Sequence, residues 1–421
     1  MFLRLARGAS LFGLVAVLAA CSSGSGAGQA ETSGASESRH PAPSRVHLDL
    51  TPPIVQPGAG VAPADEADVV LRARVARAEP GTAVTIQRRA GAGGWRDVTT
   101  LRADARGQVS RTAPVYDALG HPFAYRAVAR GGRGEPLGTS TVGTTRQWQL
   151  RFDDEFDGPT LDLGRWGYRQ QGVYAPASDR ACSASSPDAV DVEGGHLVLK
   201  AVQDQRRNAI GPCDKEDGNT RRDRSWYRNG HISARDFRFR YGYAAARVKF
   251  DSRQGAHGSF WLQSTKPNVP KQGPGQDGAE IDVVEYFGDA FAKWHEPRSV
   301  YSFVYYGARS NRQFKIPADD DPAQAITRAD ARLDPGDSWS KHYHVFSLRW
   351  TPGRYDFYVD GVRTLAEDRG VSHVPEVPIL SMLTSGWEVG RFPSGADLRT
   401  DVDWVRVWQR PGGTCAGAPA C

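Results

Sequence analysis

The sequence of 421 residues predicts an all-β protein with two folded parts. Three observations carry that expectation. Apolar and polar residues alternate over short runs such as Tyr343-His-Val-Phe-Ser-Leu-Arg-Trp350 and Arg354-Tyr-Asp-Phe-Tyr-Val359, the period of a half-buried strand. Helical periodicity is missing beside them. Glycine, proline and aspartate punctuate the runs, and Asp360-Gly361 is the dipeptide of a type I′ hairpin. Many short strands of this kind pack as two sheets, a jelly-roll sandwich.

The first residues read as a processing signal rather than as structure. Arg4 and Arg7 make a basic start, and Leu11 to Ala20 is apolar but shorter than the roughly 20 residues that span a bilayer. Leu18-Ala-Ala-Cys21 resembles a bacterial lipobox, which implies cleavage before Cys21 and lipidation of its thiol. Residues 1–21 are therefore read as a leader with its lipid-bearing cysteine. Residues 22–45 are rich in Gly, Ser and Ala and read as a flexible tether. The expected location is extracytoplasmic, anchored to a bacterial membrane through Cys21.

Residues 46–146 show alternating runs such as Val69-Val-Leu-Arg-Ala-Arg-Val75 and Ala83-Val-Thr-Ile-Gln87, separated by Pro80-Gly81, Gly91 to Gly94 and Gly107. The spacing predicts a small antiparallel sandwich. It resembles a bacterial Ig-like or fibronectin-like module, with a spacer role expected and Trp95 and Tyr116 as its few aromatic candidates for a glycan. Residues 149–410 form the larger all-β part, and 411–421 are a tail. Asp319 to Asp334 is acidic and Ala-rich, and reads as a surface loop or short helix.

Five cysteines remain to be placed. With Cys21 lipidated, four are left, and an exported protein can pair them. Cys182 with Cys213 and Cys415 with Cys421 is the expected pairing. Net charge is +5, or +3 once the two leader arginines are removed, so the total gives no case for a nucleic-acid partner. One stretch mixes signs of interest: Arg221 to Arg228 with Arg235, Arg238 and Arg240 interleaves arginines with Trp226, Tyr227, Phe237 and Phe239. That pattern fits a solvated strand face, an acidic glycan or single-stranded nucleic acid.

The most informative segment is Glu280-Ile-Asp-Val-Val-Glu285. Burying three carboxylates of a β-prone run in a core would be costly, so they must line a groove. Strict alternation puts Glu280 and Asp282 on one face and Glu285 on the other. A β-bulge at Val283 or Val284 would restore the phase and aim all three into one cleft. Two carboxyl groups about 5–5.5 Å apart is the geometry of retaining glycoside hydrolysis.

That segment is similar to the active-site strand of glycoside hydrolase family 16, the laminarinase-like, concanavalin A-like jelly rolls. Further matches are Asp154-Glu-Phe-Asp-Gly158, Trp166, Gly195 to Ala201, Tyr241-Gly-Tyr243, Ala246 to Phe250, Phe260-Trp-Leu262, Trp350-Thr-Pro-Gly353, Phe357 to Gly361 and Val402 to Trp408. The resemblance runs from about Gln149 to Gln409. It implies Glu280 as nucleophile, Glu285 as acid/base and Asp282 as the residue that orients and tunes Glu280. Two carboxylates about 4 Å apart repel by about 4 kcal/mol at an effective dielectric near 20, so one proton should stay in the site, with Glu285 its natural holder.

Sugar rings have apolar faces, so Trp261, Trp226, Tyr227, Trp294 and Trp387 are candidate platforms, with Gln263 and Arg247 as hydroxyl binders. For Arg247 a structural ion pair is the competing reading. The sequence departs from laminarinases: Tyr305 stands where they carry a histidine, Ala256-His-Gly-Ser precedes Phe260, and Ala245 replaces a glutamate. The resemblance thus implies a monomeric retaining endo-glycosidase or transglycosylase acting on a β-linked polysaccharide, a β-glucan or β-galactan. A non-catalytic glycan-binding lipoprotein on the same fold is the alternative. No cofactor is required. A structural calcium ion is common in the family, with Asp403 or Asp154 as carboxylates to consider.

Overall fold

The alternating runs fold as strands nearly everywhere in the computed structural model. It describes residues 45–169, 180–214, 225–264, 274–289, 298–307, 313–316, 326–327, 333–384 and 397–411. Cys21, Trp294, Trp387, Cys415 and Cys421 lie outside the described residues, as do the leader and tether. Cys182 and Cys213 are joined as a disulfide, their Cα atoms 6.0 Å apart.

The first folded part holds seven strands: β1 (Val46–Leu50), β2 (Val69–Val75), β3 (Ala83–Ala90), β4 (Arg96–Arg102), β5 (Gln108–Ala113), β6 (Phe123–Arg130) and β7 (Pro136–Thr139). One sheet runs β1-β2-β5 and the other β4-β3-β6-β7. Their inward residues, Val69 and Leu71 from one and Val84, Ile86 and Ala127 from the other, share a single core. Tyr125 of β6 is buried in it and keeps its hydroxyl satisfied by donating to the Pro114 carbonyl at 2.6 Å. Trp95 has the Arg89 and Arg126 guanidinium groups over its ring, at 4.8 and 4.4 Å from the centroid.

The larger part comprises β8 (Gln149–Asp154), β9 (Trp166–Tyr168), β10 (Ser183–Ser185), β11 (Val190–Glu193), β12 (His196–Gln203), β13 (Tyr227–Ala234), β14 (Gly242–Lys249), β15 (Gly258–Ser264), β16 (Glu280–Tyr286), β17 (Val300–Gly307), β18 (Gln313–Ile316), β19 (Ile326–Thr327), β20 (His344–Thr351), β21 (Arg354–Val359), β22 (Val362–Glu367), β23 (Glu376–Met382) and β24 (Leu398–Gln409). One layer is centred on β23-β15-β16-β17 and the other on β24-β14-β20-β21-β22. β13 joins them: its first half pairs with β12 and its second with β23. The layers bury a common core, with Phe260, Leu262 and Ile281 on one side and Ala244, Val248, Phe346 and Leu348 on the other. This is the jelly-roll architecture that the strand pattern predicts. Asp360 and Gly361 both take left-handed φ, 45° and 73°, as a type I′ turn requires.

Within the acidic segment Asp319 to Asp334, Ile326 and Thr327 pair as a strand with Tyr301 and Val300, contrary to the expected loop or helix. β-branched side chains and an open edge of β17 outweigh the local composition there.

The small sandwich is docked rather than merely spaced. Residues 51–68, between β1 and β2, lie along the outer layer of the jelly roll. Ile54 is fully buried among Tyr243, Val345, Tyr358 and Trp404. Gly58 exchanges two backbone hydrogen bonds with Tyr343. Arg72 donates to the Tyr358 hydroxyl at 3.0 Å and lies over its ring.

Arg247 locks this contact. It is 1% exposed, and Nη1 meets Asp403 at 2.5 Å and the Gly60 carbonyl at 2.8 Å, while Nε donates to the Gln56 carbonyl at 2.6 Å. It therefore stands on the opposite layer from the acids, and the expectation that it binds a sugar hydroxyl is corrected: β14 turns it toward the docked segment. Asp403 also accepts from the Ala62 N–H, and Asp154 from Phe156 and Trp166.

Arg247→Met should strand a buried carboxylate and cost about 3–5 kcal/mol in a urea titration. A loss below about 1 kcal/mol would contradict the clamp.

Candidate active site

The acidic strand carries an extra residue. Against β15, Phe260 faces Val284 and Trp261 faces Asp282, so Val283 has no opposite number. Against β17, Asp282 faces Phe303 and Glu285 faces Tyr301, so Val283 and Val284 lie opposite Ser302 alone. This is a β-bulge, and it changes the alternation. Ile281, Val283, Val284 and Tyr286 all pack into the core. Glu280, Asp282 and Glu285 all line one cavity of about 270 Å³ on the other side.

The entry to the strand is fixed from below. Ala279 N–H donates to Glu376 Oε1 at 3.1 Å, and Ser372 donates to the same oxygen at 2.5 Å. Burial pushes the Glu376 carboxyl well above the usual range. Gly278 has φ +86°, and a Cβ on it would lie 2.4 Å from Ser264 and 2.7 Å from Glu376, which leaves room only for glycine.

Gln263 donates to Glu280 Oε2 at 2.8 Å and accepts from Arg169 at 2.9 Å. The Glu280 carboxyl is pushed up to about 7, first by burial and then by the charge of Glu285; Gln263, Arg169 and Arg180 pull it back. The charge of Glu285 thus opposes ionising Glu280 beside it. Glu285 Oε1 meets His257 Nε2 at 2.7 Å, and His257 Nδ1 meets Arg180 Nη2 at 3.2 Å.

Trp261 faces the cavity, donating to Ser381 at 3.1 Å, with Arg169 over its ring at 5.2 Å and His231 stacked against it at 5.8 Å. His231 is 4% exposed, and burial with the two arginine charges pushes its imidazolium down to about 3, so it is neutral. Its Nδ1 lies 3.3 Å from the Ser185 hydroxyl, and its Nε2 has no hydrogen-bond partner within the described protein. Ser259 Oγ, opposite Glu285, is likewise unsatisfied.

Of the sequence candidates, Trp261 and Gln263 therefore join the acids, and Tyr305, half-buried, stands directly across from Glu280 on β17. Trp226 and Tyr227 do not line the cavity. Trp226 packs on the Cys182–Cys213 disulfide with its indole N–H on the Gly211 carbonyl, and Tyr227 is fully buried. Phe239 is also core, and Phe237 is partly buried against it. Arg169, Arg180, His231 and His257 were missed. Only His257 left a trace, as the departure Ala256-His-Gly-Ser.

A jelly roll with three acids on one bulged strand in a groove defines the class of protein as glycosidase-like. Residues 148–410 match the family described as beta-porphyranase A–D, GH16 domain, and the chain belongs to glycoside hydrolase family 16. The chain is 24% identical over 335 residues to glucan endo-1,3-beta-glucosidase A1 of Niallia circulans, covering 73% of this chain and 45% of that protein. It is 25% identical over 278 residues to beta-porphyranase E of Zobellia galactanivorans, covering 61% and 85%. The chain thus spans less than half the length of the Niallia protein. Among solved structures, the kappa-carrageenase of Zobellia galactanivorans aligns over 63% of this chain and 96% of its own at 19% identity, with a TM-score of 0.48.

A raised carboxyl destabilises the fold once it ionises. Its contribution is intact below its unfolded value near 4.5 and is lost as pH rises through about 7. Glu280→Gln should therefore raise stability at pH 8 by up to about 3 kcal/mol and leave it unchanged at pH 4. Thermal unfolding at the two pH values checks this, and equal shifts at both would contradict it.

Proposed function

We propose that the protein is a retaining endo-glycosidase, or transglycosylase, of β-linked polysaccharide, and that it works as a lipid-anchored, extracytoplasmic monomer. The observation that carries the reading is the bulge, which turns Glu280 and Glu285 into one groove. Glu280 attacks the anomeric carbon as the leaving oxygen takes the proton of Glu285. Water then enters, Glu285 removes its proton, and the glycosyl-enzyme bond breaks with retention. Asp282, between them on the same face, orients Glu280.

The surroundings of Glu280 support this division of labour. Gln263, Arg169 and Arg180 favour the anion on Glu280, which leaves the proton to Glu285 once a glycosidic oxygen lies beside it. Trp261 is the sugar platform. His231 Nε2 and Ser259 Oγ, buried and unsatisfied, are partners for sugar hydroxyls, since an unmet buried polar group is costly. The Cys182–Cys213 disulfide supports an oxidising, exported location, and lipid on Cys21 would hold the enzyme at the membrane.

The substrate is a β-glucan or β-galactan. Porphyran is the first to test, because the matching family description names porphyranases. The groove differs from laminarinases at Tyr305 and His257, which weakens the case for β-1,3-glucan.

A panel of porphyran, agarose, carrageenan, laminarin and lichenan with product analysis tests the reading. Cleavage of at least one is expected, and Glu280→Gln should lose it by more than about a thousandfold while keeping the fold. Hydrolysis unchanged in that variant would overturn the assignment. Binding without cleavage by the parent protein would favour a glycan-binding protein.

A further inference from the structure

We infer that Arg180 and His257 form a positioning relay for Glu285, a deepening that rests on the reading of Glu285 as acid/base. The relay is read from two contacts. Arginine only donates hydrogen bonds, so the Arg180 guanidinium at 3.2 Å makes His257 Nδ1 an acceptor. The imidazole proton is then on Nε2, and Nε2–H donates to Glu285 Oε1 at 2.7 Å. The tautomer is set from outside the reacting pair, as in sites where the far nitrogen of a histidine is held by a second group.

The ring cannot turn away. His257 is 6% exposed, packs on Phe287 at 4.5 Å between centroids, and its carbonyl accepts from Leu383 N–H at 2.9 Å. One oxygen of Glu285 is thereby fixed in place.

The groups around Glu285 set its proton. Glu280 and Asp282 face it from its own strand, Ser259 from β15, His257 from the residue just before β15, Tyr301 from β17, and Arg169 and Arg180 from the groove lining. Of these, His257 gives a directed hydrogen bond. That bond is stronger to the carboxylate than to the acid, so it favours the deprotonated state needed to activate water. The proton of catalysis goes from Glu285 to the leaving oxygen and returns from water. The Nε2 proton of His257 stays where it is, because Arg180 caps Nδ1.

The test uses the full chain, with porphyran and laminarin as probes and ¹⁵N-histidine spectra as a substrate-free readout. His257→Leu should lower kcat by about tenfold to a hundredfold with KM within about twofold. Loss of the donor should move the basic limb of the kcat/KM profile upward by about 0.5–1 pH unit. His257→Gln, which keeps an N–H donor, should retain the parent limb. The spectra should show the Nε2–H tautomer across the working range, and Arg180→Met should let Nδ1 take up a proton as pH falls.

An unshifted limb with parent kcat in His257→Leu, beside an inactive Glu285→Gln, overturns the relay alone. So does a spectrum with the proton on Nδ1. A Glu285→Gln variant that kept activity would overturn the acid/base reading and the relay with it.

Discussion

One inserted residue governs the site. Without Val283 out of register, β16 would send Glu285 to the core side of its sheet, where Phe260 and Phe346 pack. A carboxylate there would face several kcal/mol of desolvation without a partner. With the bulge, apolar and acidic residues sort to opposite surfaces, and the valines that a strict strand would split both reach the core. The bulge thus serves packing and the groove together, because the same shift that hides Val283 and Val284 exposes Glu285 to its partners.

The rest of the layer holds that arrangement still. Glu376 and Gly278 fix the start of the strand, Gln263 and Arg169 hold Glu280, and His257 holds Glu285. β15 contributes both Gln263 and His257's neighbourhood, so one strand pairing sets the geometry of both glutamates. Behind it, Arg247 joins the outer layer to residues 56–60 of the small sandwich. The two folded parts belong to one compact unit from residue 44 onward, so the sandwich is part of the scaffold as well as an N-terminal module.

The strands and the acids were legible because both depend on local pattern. Alternation marks a half-buried strand wherever it occurs, and three acids in six residues of β-prone sequence have few places to go. What stayed hidden depends on tertiary contact. Arg169 and Arg180 reach the groove from segments far from it in sequence, and His231 looks like any strand residue until its neighbours bury it. Trp226 and Tyr227 misled because an aromatic beside arginines has the same local signature whether it faces solvent or core. Arg247 was ambiguous for a related reason: period-2 alternation tells which residues share a face but not which face the groove occupies.

The central claim is that the bulge lets one glutamate capture the sugar covalently while the other moves the proton. Time-resolved ¹H NMR of the reducing ends released from a cleaved polysaccharide reads this most directly. The account predicts that the β-anomer appears first and equilibrates with the α-anomer later, because two displacements retain configuration. An α-anomer formed first would mean a single displacement by water, and would contradict the covalent role of Glu280.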